Sequence, residues 1–292
     1  MAIGIRPFQA GLGADITGVD IRAPLSPADR DQILAAWHNH LVVRFRGQPM
    51  SDEQHMAFTR NFGELEFAAE KLVERTYGVT SDTANRTGVP PQIAVISNIV
   101  ENGKPIGALG SGEAFWHTDS SFVDVPPAGS FLRAIEVPPR GGATYFLNMY
   151  AAYDTLPDDV QHRIADLQAI HPMTHSSSGK PRKGFENITD VTQVPGPRHP
   201  LVRTHPDTGR KCLFLGRRLN AYVCGLPVEE SEALLDRLWA HATQEKFTWR
   251  QEWQVGDLII WDNRCAMHRR DPFDPAARRL MHRTQTKGTR PV

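Results

Sequence analysis

The stretch FWHTDSSF, residues 115–122, sets His117 and Asp119 two positions apart. On a strand, residues i and i+2 point to one face, roughly 7 Å apart along the chain. An imidazole and a carboxylate so placed can converge on one metal ion, with Trp116 and Thr118 turned the other way. A third ligand would complete two histidines and one carboxylate, the facial arrangement that leaves open positions on non-haem Fe(II). Candidates are scattered over the chain's 12 histidines. The one with suitable surroundings is His268, where GDLIIWDNRCAMH runs from an apolar strand into a turn. A second His-x-Asp, His205-Pro206-Asp207, lies in THPDTGRK between two apolar runs. Its proline and its Asp-Thr-Gly mark a hairpin tip, a poor place for a clamp.

Just beyond His268 comes RRLMHRTQTKG. Read as a strand, it puts Arg279, Met281 and Arg283 on one face and Leu280, His282 and Thr284 on the other. The two arginine Cα atoms are then roughly 13 Å apart. A guanidinium turned into a β-core needs an anion, because a buried unpaired cation is strongly disfavoured. For an isolated R-x-x-x-R, surface or ion-paired arginines are the plainer account.

These residues must be held by elements, and the elements are mostly short strands. QIAVISNIV, AFWHTDSSF, AGSFLRAIEV, GGATYFLNM, HPLVRTH, RKCLFLG, FTWRQEW, GDLIIWDN and RRLMHRTQTKG all read as strands separated by turn residues. Residues 101–114 form a Gly-rich loop. Helices are expected at 26–41, where Ser26 caps and Pro27 takes the first position, and at about 51–62 before Gly63. Two more are expected near 156–169 and 228–242. His38, His40 and His55 fall on the first two helices as structural or surface residues. With no internal repeat and no linker, the pattern predicts one domain over 1–292, mainly β (α+β), with helices packed outside a β-core. Residues 174–199, rich in Ser, Gly, Pro and Lys, are expected to form a mobile flap over the site, with a disordered surface stretch as the plainer account.

Composition narrows the function. At 292 residues, 40% hydrophobic, 23% charged and zero formal net charge, the chain shows no basic stripe for nucleic acid and no membrane span. The N-terminus lacks a signal-peptide core. Three cysteines without C-x-x-C spacing are expected as reduced thiols in a cytoplasmic protein.

WHTDSSF after an aromatic residue, PPRGGATYFLNMYAAYDTLP, WDNRCAMHR and RRLMHRT together resemble the TauD/TfdA family of Fe(II)- and 2-oxoglutarate-dependent dioxygenases. The resemblance spans nearly the whole chain, including GADITGVDI and PLVRTHPDTGRKCLF. It implies a double-stranded β-helix, a jelly-roll core with helices outside, and homodimers or tetramers. It implies His117, Asp119 and His268 as iron ligands, and Thr144 and Arg279 as the groups that hold 2-oxoglutarate. O2 would be the other cosubstrate and succinate and CO2 the by-products. Arg283 matches an arginine near both cosubstrate and substrate, which implies a small anionic substrate: an aryloxyalkanoate, sulfonate or sulfate ester.

SNIV at 97–100 and DSSF after the metal motif look closer to the aryloxyalkanoate branch. Glu113 stands where the taurine enzyme has an asparagine, which counts against taurine. Asn98, Ile99, Glu113, Phe122 and His175 are the expected substrate-pocket residues, with core packing the plainer account of Ile99 and Phe122. Two other classes use the same three ligands: a zinc-type hydrolase with a bound water as nucleophile, and a metal-binding β-barrel without catalysis. The hydrolase has no use for Arg279 and Thr144 together.

Overall fold

A computed structural model describes residues 2–9, 11–79, 88–182, 184, 185, 188 and 190–292. Its core is two facing sheets. The larger has eight strands in the spatial order 4–7, 14–17, 42–45, 258–262, 129–136, 280–285, 94–97 and 108–109. The smaller has four, in the order 248–251, 144–148, 266–270 and 114–117, all antiparallel.

The central strand Leu258–Asp262 shows how both faces of the large sheet are filled. All five of its residues are buried. Ile259 and Trp261 point between the sheets and join Leu132, Phe146, Met267 and Met281 in the main core. Leu258 and Ile260 point the other way and pack with Ile33, Trp37 and Phe58 from the outer helices. A strand covered on both sides reads as an unbroken apolar run, as LIIW does.

The helices follow their caps. Pro27–His40 begins after Ser26, whose side chain accepts from the Asp29 amide. Asp52–Arg60 begins with a reciprocal capping box between Ser51 and Gln54. Asp158–Ile164 and Val228–Ala242 stand in the two later helical regions. Two further helices, Ala69–Tyr77 and Met149–Asp154, were not expected. The first follows an Ala68 N-cap, with no side-chain cap to announce it, and the second has only six residues.

Other expectations change in detail. The strand carrying the metal motif is only Ala114–His117, and residues 119 and 120 form a turn with Ser120 at φ +47. Asp119 therefore reaches the site from a turn and not from the strand face it was expected to share with His117. The segment 174–199 carries more structure than its composition implied. His175 bridges Pro181 and Arg182 donates its amide to the Thr174 carbonyl, which closes a compact loop; residues 191–193 make a 3-10 turn and Arg198–Pro200 a strand. Among the described residues no helix is long and apolar enough to cross a membrane. All three cysteines are free thiols.

Candidate metal centre and its cationic flanks

His268 lies directly opposite His117 in the antiparallel pair of strands 266–270 and 114–117. Their ring centroids are 4.1 Å apart. His117 Nε2 is 3.6 Å and His268 Nε2 3.9 Å from Asp119 Oδ1. One ligand atom from each residue lies within 4.8 Å of the others, and all three side chains are buried. The Phe115 carbonyl can only accept, so the 2.7 Å contact with His117 Nδ1 puts the proton there and leaves Nε2 as a lone pair. Burial pushes both histidines down in pKa, His268 most, so both stand as neutral imidazoles, the form that binds metal.

The turn carrying Asp119 is locked by Asn263. The Asp119 amide donates to Asn263 Oδ1 at 2.8 Å, and Asn263 Nδ2 donates to the carbonyls of Asp119 and Pro127. Sequence reasoning did not single out Asn263. Its only signal is its place in WDN, five residues before His268.

The Asp119 carboxylate accepts from Arg283 Nη1 at 2.7 and 2.8 Å, from Ser130 Oγ at 2.8 Å and from Gln285 Nε2 at 3.2 Å. Burial alone would raise its pKa. The Arg283 guanidinium against it outweighs that and holds it well below the usual carboxylate range. Arg283, expected to meet the substrate, is thus found on the carboxylate of Asp119 in the candidate metal cluster. Two neutral imidazoles and one ionised carboxylate, all buried and all aimed at one point, are a donor set suited to a divalent transition metal with open positions.

One flank of this centre is a pair of arginines. Arg270 stands two residues beyond His268 and therefore on the same strand face, directly opposite Thr144. Arg279 stands just before the large-sheet strand Leu280–Gln285 and is 1% exposed. Both guanidiniums lie over the Phe273 ring, at 5.3 and 5.9 Å from its centroid. The Nε and Nη1 atoms of both have no partner, and neither arginine makes an ion pair with a carboxylate among the described residues. Burial, with neighbouring Arg270 second, pushes Arg279 down to about 9; burial alone pushes Arg270 to about 10. Two such cations side by side are an incomplete arrangement, and a carboxylate would complete it. Thr144 Oγ1 accepts from Trp253 Nε1 at 2.9 Å, which leaves the hydroxyl proton to donate toward the same space. Arg270 was missed in the sequence, although its spacing from His268 was visible.

The expected pocket residues separate. Asn98 accepts the Arg279 amide at 3.0 Å and donates to the carbonyls of Pro275 and Ala277. It therefore latches the segment that presents Arg279. Ile99 is buried, with its amide on Ser97 Oγ. Glu113 is exposed. Phe122, 1% exposed, packs with Leu72, Val73 and Met173 and lies beneath two further arginines, Arg182 and Arg217. His175 joins Phe122 there, because its carbonyl accepts from both of those arginines.

The other His-x-Asp does sit at a hairpin tip, between strands Val202–Thr204 and Lys211–Leu213. His205 comes near Asp262 and Cys265 in a second buried group. There Asp262 is already held by Arg264 through Nε and Nη2 at 2.8 and 2.7 Å, and by His205 at 3.0 Å. Its charge is met within the protein.

A family model described as taurine catabolism dioxygenase TauD, TfdA family matches residues 4–285. The chain is 36% identical over 294 residues to the alpha-ketoglutarate-dependent 2,4-dichlorophenoxyacetate dioxygenase of Cupriavidus pinatubonensis, covering 98% of each. It is 34% identical to the (S)-phenoxypropionate/alpha-ketoglutarate-dioxygenase of Sphingobium herbicidovorans, covering 98% of this chain and 96% of the relative. Among solved structures, AAD-2 in complex with Mn(II) and N-oxalylglycine superposes with a TM-score of 0.79 at 34% identity, over 100% of this chain and 99% of that one.

Proposed function

We propose a substrate class and a division of labour for a chain that belongs to the TauD/TfdA dioxygenase family and is, as such, an Fe(II)- and 2-oxoglutarate-dependent dioxygenase. The substrate is a small organic anion of the aryloxyalkanoate type, and the whole of 1–292 is one catalytic domain around a double-stranded β-helix. One observation carries this reading: a buried His–Asp–His cluster lies beside an arginine pair that has no carboxylate partner among the described residues, in the same interior. A zinc-type hydrolase has no use for that pair.

His117, Asp119 and His268 hold the iron. Arg279 and Arg270 take the distal carboxylate of 2-oxoglutarate, steadied by the Thr144 hydroxyl. When bound, iron and 2-oxoglutarate supply the oxidising chemistry, inserting one oxygen atom of O2 into a substrate C–H bond as 2-oxoglutarate becomes succinate and CO2. The protein's own part is placement. Arg283, Ser130 and Gln285 keep Asp119 ionised and oriented, and Asn263 fixes the turn beneath it. Burial keeps both histidines neutral and excludes bulk water. Hydroxylation of the carbon beside an ether oxygen yields a hemiacetal, which breaks into a phenol and an aldehyde.

The test is aerobic turnover of phenoxyacetate with Fe(II) and 2-oxoglutarate, with succinate and phenol measured together. Equal amounts of both, and an Arg279→Met variant whose KM for 2-oxoglutarate rises about 10- to 150-fold, are expected. Phenol release that needs no 2-oxoglutarate, or a KM unmoved by Arg279→Met, would overturn the reading.

A further inference from the structure

Arg283 is committed to Asp119, and Arg270 with Arg279 lies on the cosubstrate side. The anion of the organic substrate then needs a different partner. A second pair of arginines lies near the metal cluster. Arg182 and Arg217 both sit over the Phe122 ring, with guanidinium carbons 4.7 and 5.7 Å from its centroid.

Both donate to one acceptor, the His175 carbonyl, Arg217 through Nη1 at 2.9 Å and Arg182 through Nε at 3.4 Å. A neutral carbonyl does not neutralise two cations. Arg217 Nε is buried without a partner. Neither arginine makes an ion pair with a carboxylate among the described residues; the acids nearest in effect, Asp119 for Arg217 and Glu70 for Arg182, act only through space. Burial, then Arg182 beside it, pushes Arg217 down to about 9.

Backbone contacts place this pair at the metal. The amide of Thr118, between two of the metal ligands, donates to the carbonyl of Gly216, the residue before Arg217. Phe122 follows Asp119 by three residues. The loop carrying Arg182 is fastened to the metal-bearing strand where the Phe115 amide donates to the Ser177 carbonyl. Arg217 is close enough to His117 and His268 for its charge to lower the pKa of each.

We propose that Arg217 and Arg182, stacked on Phe122, are the socket for the carboxylate or sulfate group of the organic substrate, and so set its specificity for anions. This rests on the dioxygenase reading and adds a subsite to it. The planar guanidinium fork matches either oxyanion, and an incoming anion relieves the repulsion between the two cations. Two charges against one aromatic ring also explain why the site tolerates the pair while it waits: each ring contact offsets part of the desolvation.

The test uses the full chain loaded without oxygen with Fe(II) and 2-oxoglutarate, whose visible charge-transfer band changes when a molecule occupies the adjoining pocket. Phenoxyacetate, hexyl sulfate and uncharged phenoxyacetamide are titrated separately. The wild type should bind phenoxyacetate or hexyl sulfate, and whichever anion it prefers identifies the oxyanion, with phenoxyacetamide weaker by at least about tenfold. Arg217→Met should weaken the preferred anion by about 10- to 150-fold, remove the preference over the amide, and change the 2-oxoglutarate requirement less than twofold. Arg182→Met should act in the same direction, and Arg217→Lys should restore part of the preference. Retention of the band in each variant shows that it is folded. An intact band with neither anion bound, or an anion preference unchanged in both Met variants, would overturn the socket while leaving the dioxygenase reading in place. Absence of the band in the wild type would overturn both.

Discussion

Replacing Asp119 by alanine removes more than a proposed metal ligand, because Arg283 would be left buried beside it without its carboxylate. Breaking one side of a buried ion pair typically costs about 3–5 kcal/mol. We expect metal-free Asp119→Ala to lose stability in that range in urea denaturation. Asp119→Ala combined with Arg283→Met should regain most of it, since the orphaned cation is then gone too. Equal stability of the single and double variants would contradict the pairing of Arg283 with Asp119. At this scale the sequence displayed some groups and hid others. His117, Asp119 and His268 were visible because their residue types are informative and two of them lie two positions apart. Arg217 and Arg182 were hidden because they lie far from the metal motif in sequence, in segments read only as a strand end and a flap. Arg283 showed its inward direction but not its partner, since a carboxylate 164 residues away meets it only after folding.

Gly216 holds the element that presents Arg217 against the turn with Thr118 and Asp119. It has φ +64, and a Cβ there would come within 2.3 Å of His171 Nδ1, itself a buried ring. Gly216→Ala is expected to lower stability by about 1–3 kcal/mol and to raise KM for the organic substrate more than KM for 2-oxoglutarate. An unchanged urea midpoint would show that this turn can relax, and that Gly216 does not fix the position of Arg217. The elements themselves were legible in proportion to their local signals. The capped helices Pro27–His40 and Asp52–Arg60 and the unbroken apolar strand Leu258–Asp262 stood out. The early end of the metal-bearing strand at His117 did not. It depends on Asn263, from a distant turn, capturing the Asp119 backbone, and no local residue pattern encodes that contact.

Across the whole molecule, several histidines are buried neutral. Burial pushes His55 down to about 3 and His199 to about 4, and holds His171 well below its ordinary value. The unfolded chain, with histidines near 6.5, takes up these protons first. Stability from these groups is therefore complete above about pH 6.5 and lost as the pH falls toward the folded values, by up to about 1.4 kcal/mol per pH unit for each. Carboxylates, with unfolded values near 4, contribute little between about pH 6.5 and 5. The unfolding free energy of the metal-free protein should fall across that window, and His55→Gln should make the slope shallower. A flat profile would contradict neutral burial of these rings. The β-core with outer helices was foreseeable from the run of short strands, whereas the gathering of two separate arginine pairs near one His–Asp–His cluster required the fold. The most direct test is an anaerobic titration of the protein with Fe(II) in the presence of 2-oxoglutarate, followed by the visible charge-transfer band. The band should saturate at one iron per chain, vanish in His268→Ala, and require far more 2-oxoglutarate in Arg279→Met. No band in the wild type, or an equal band in all three proteins, would contradict an iron centre built from His117, Asp119 and His268.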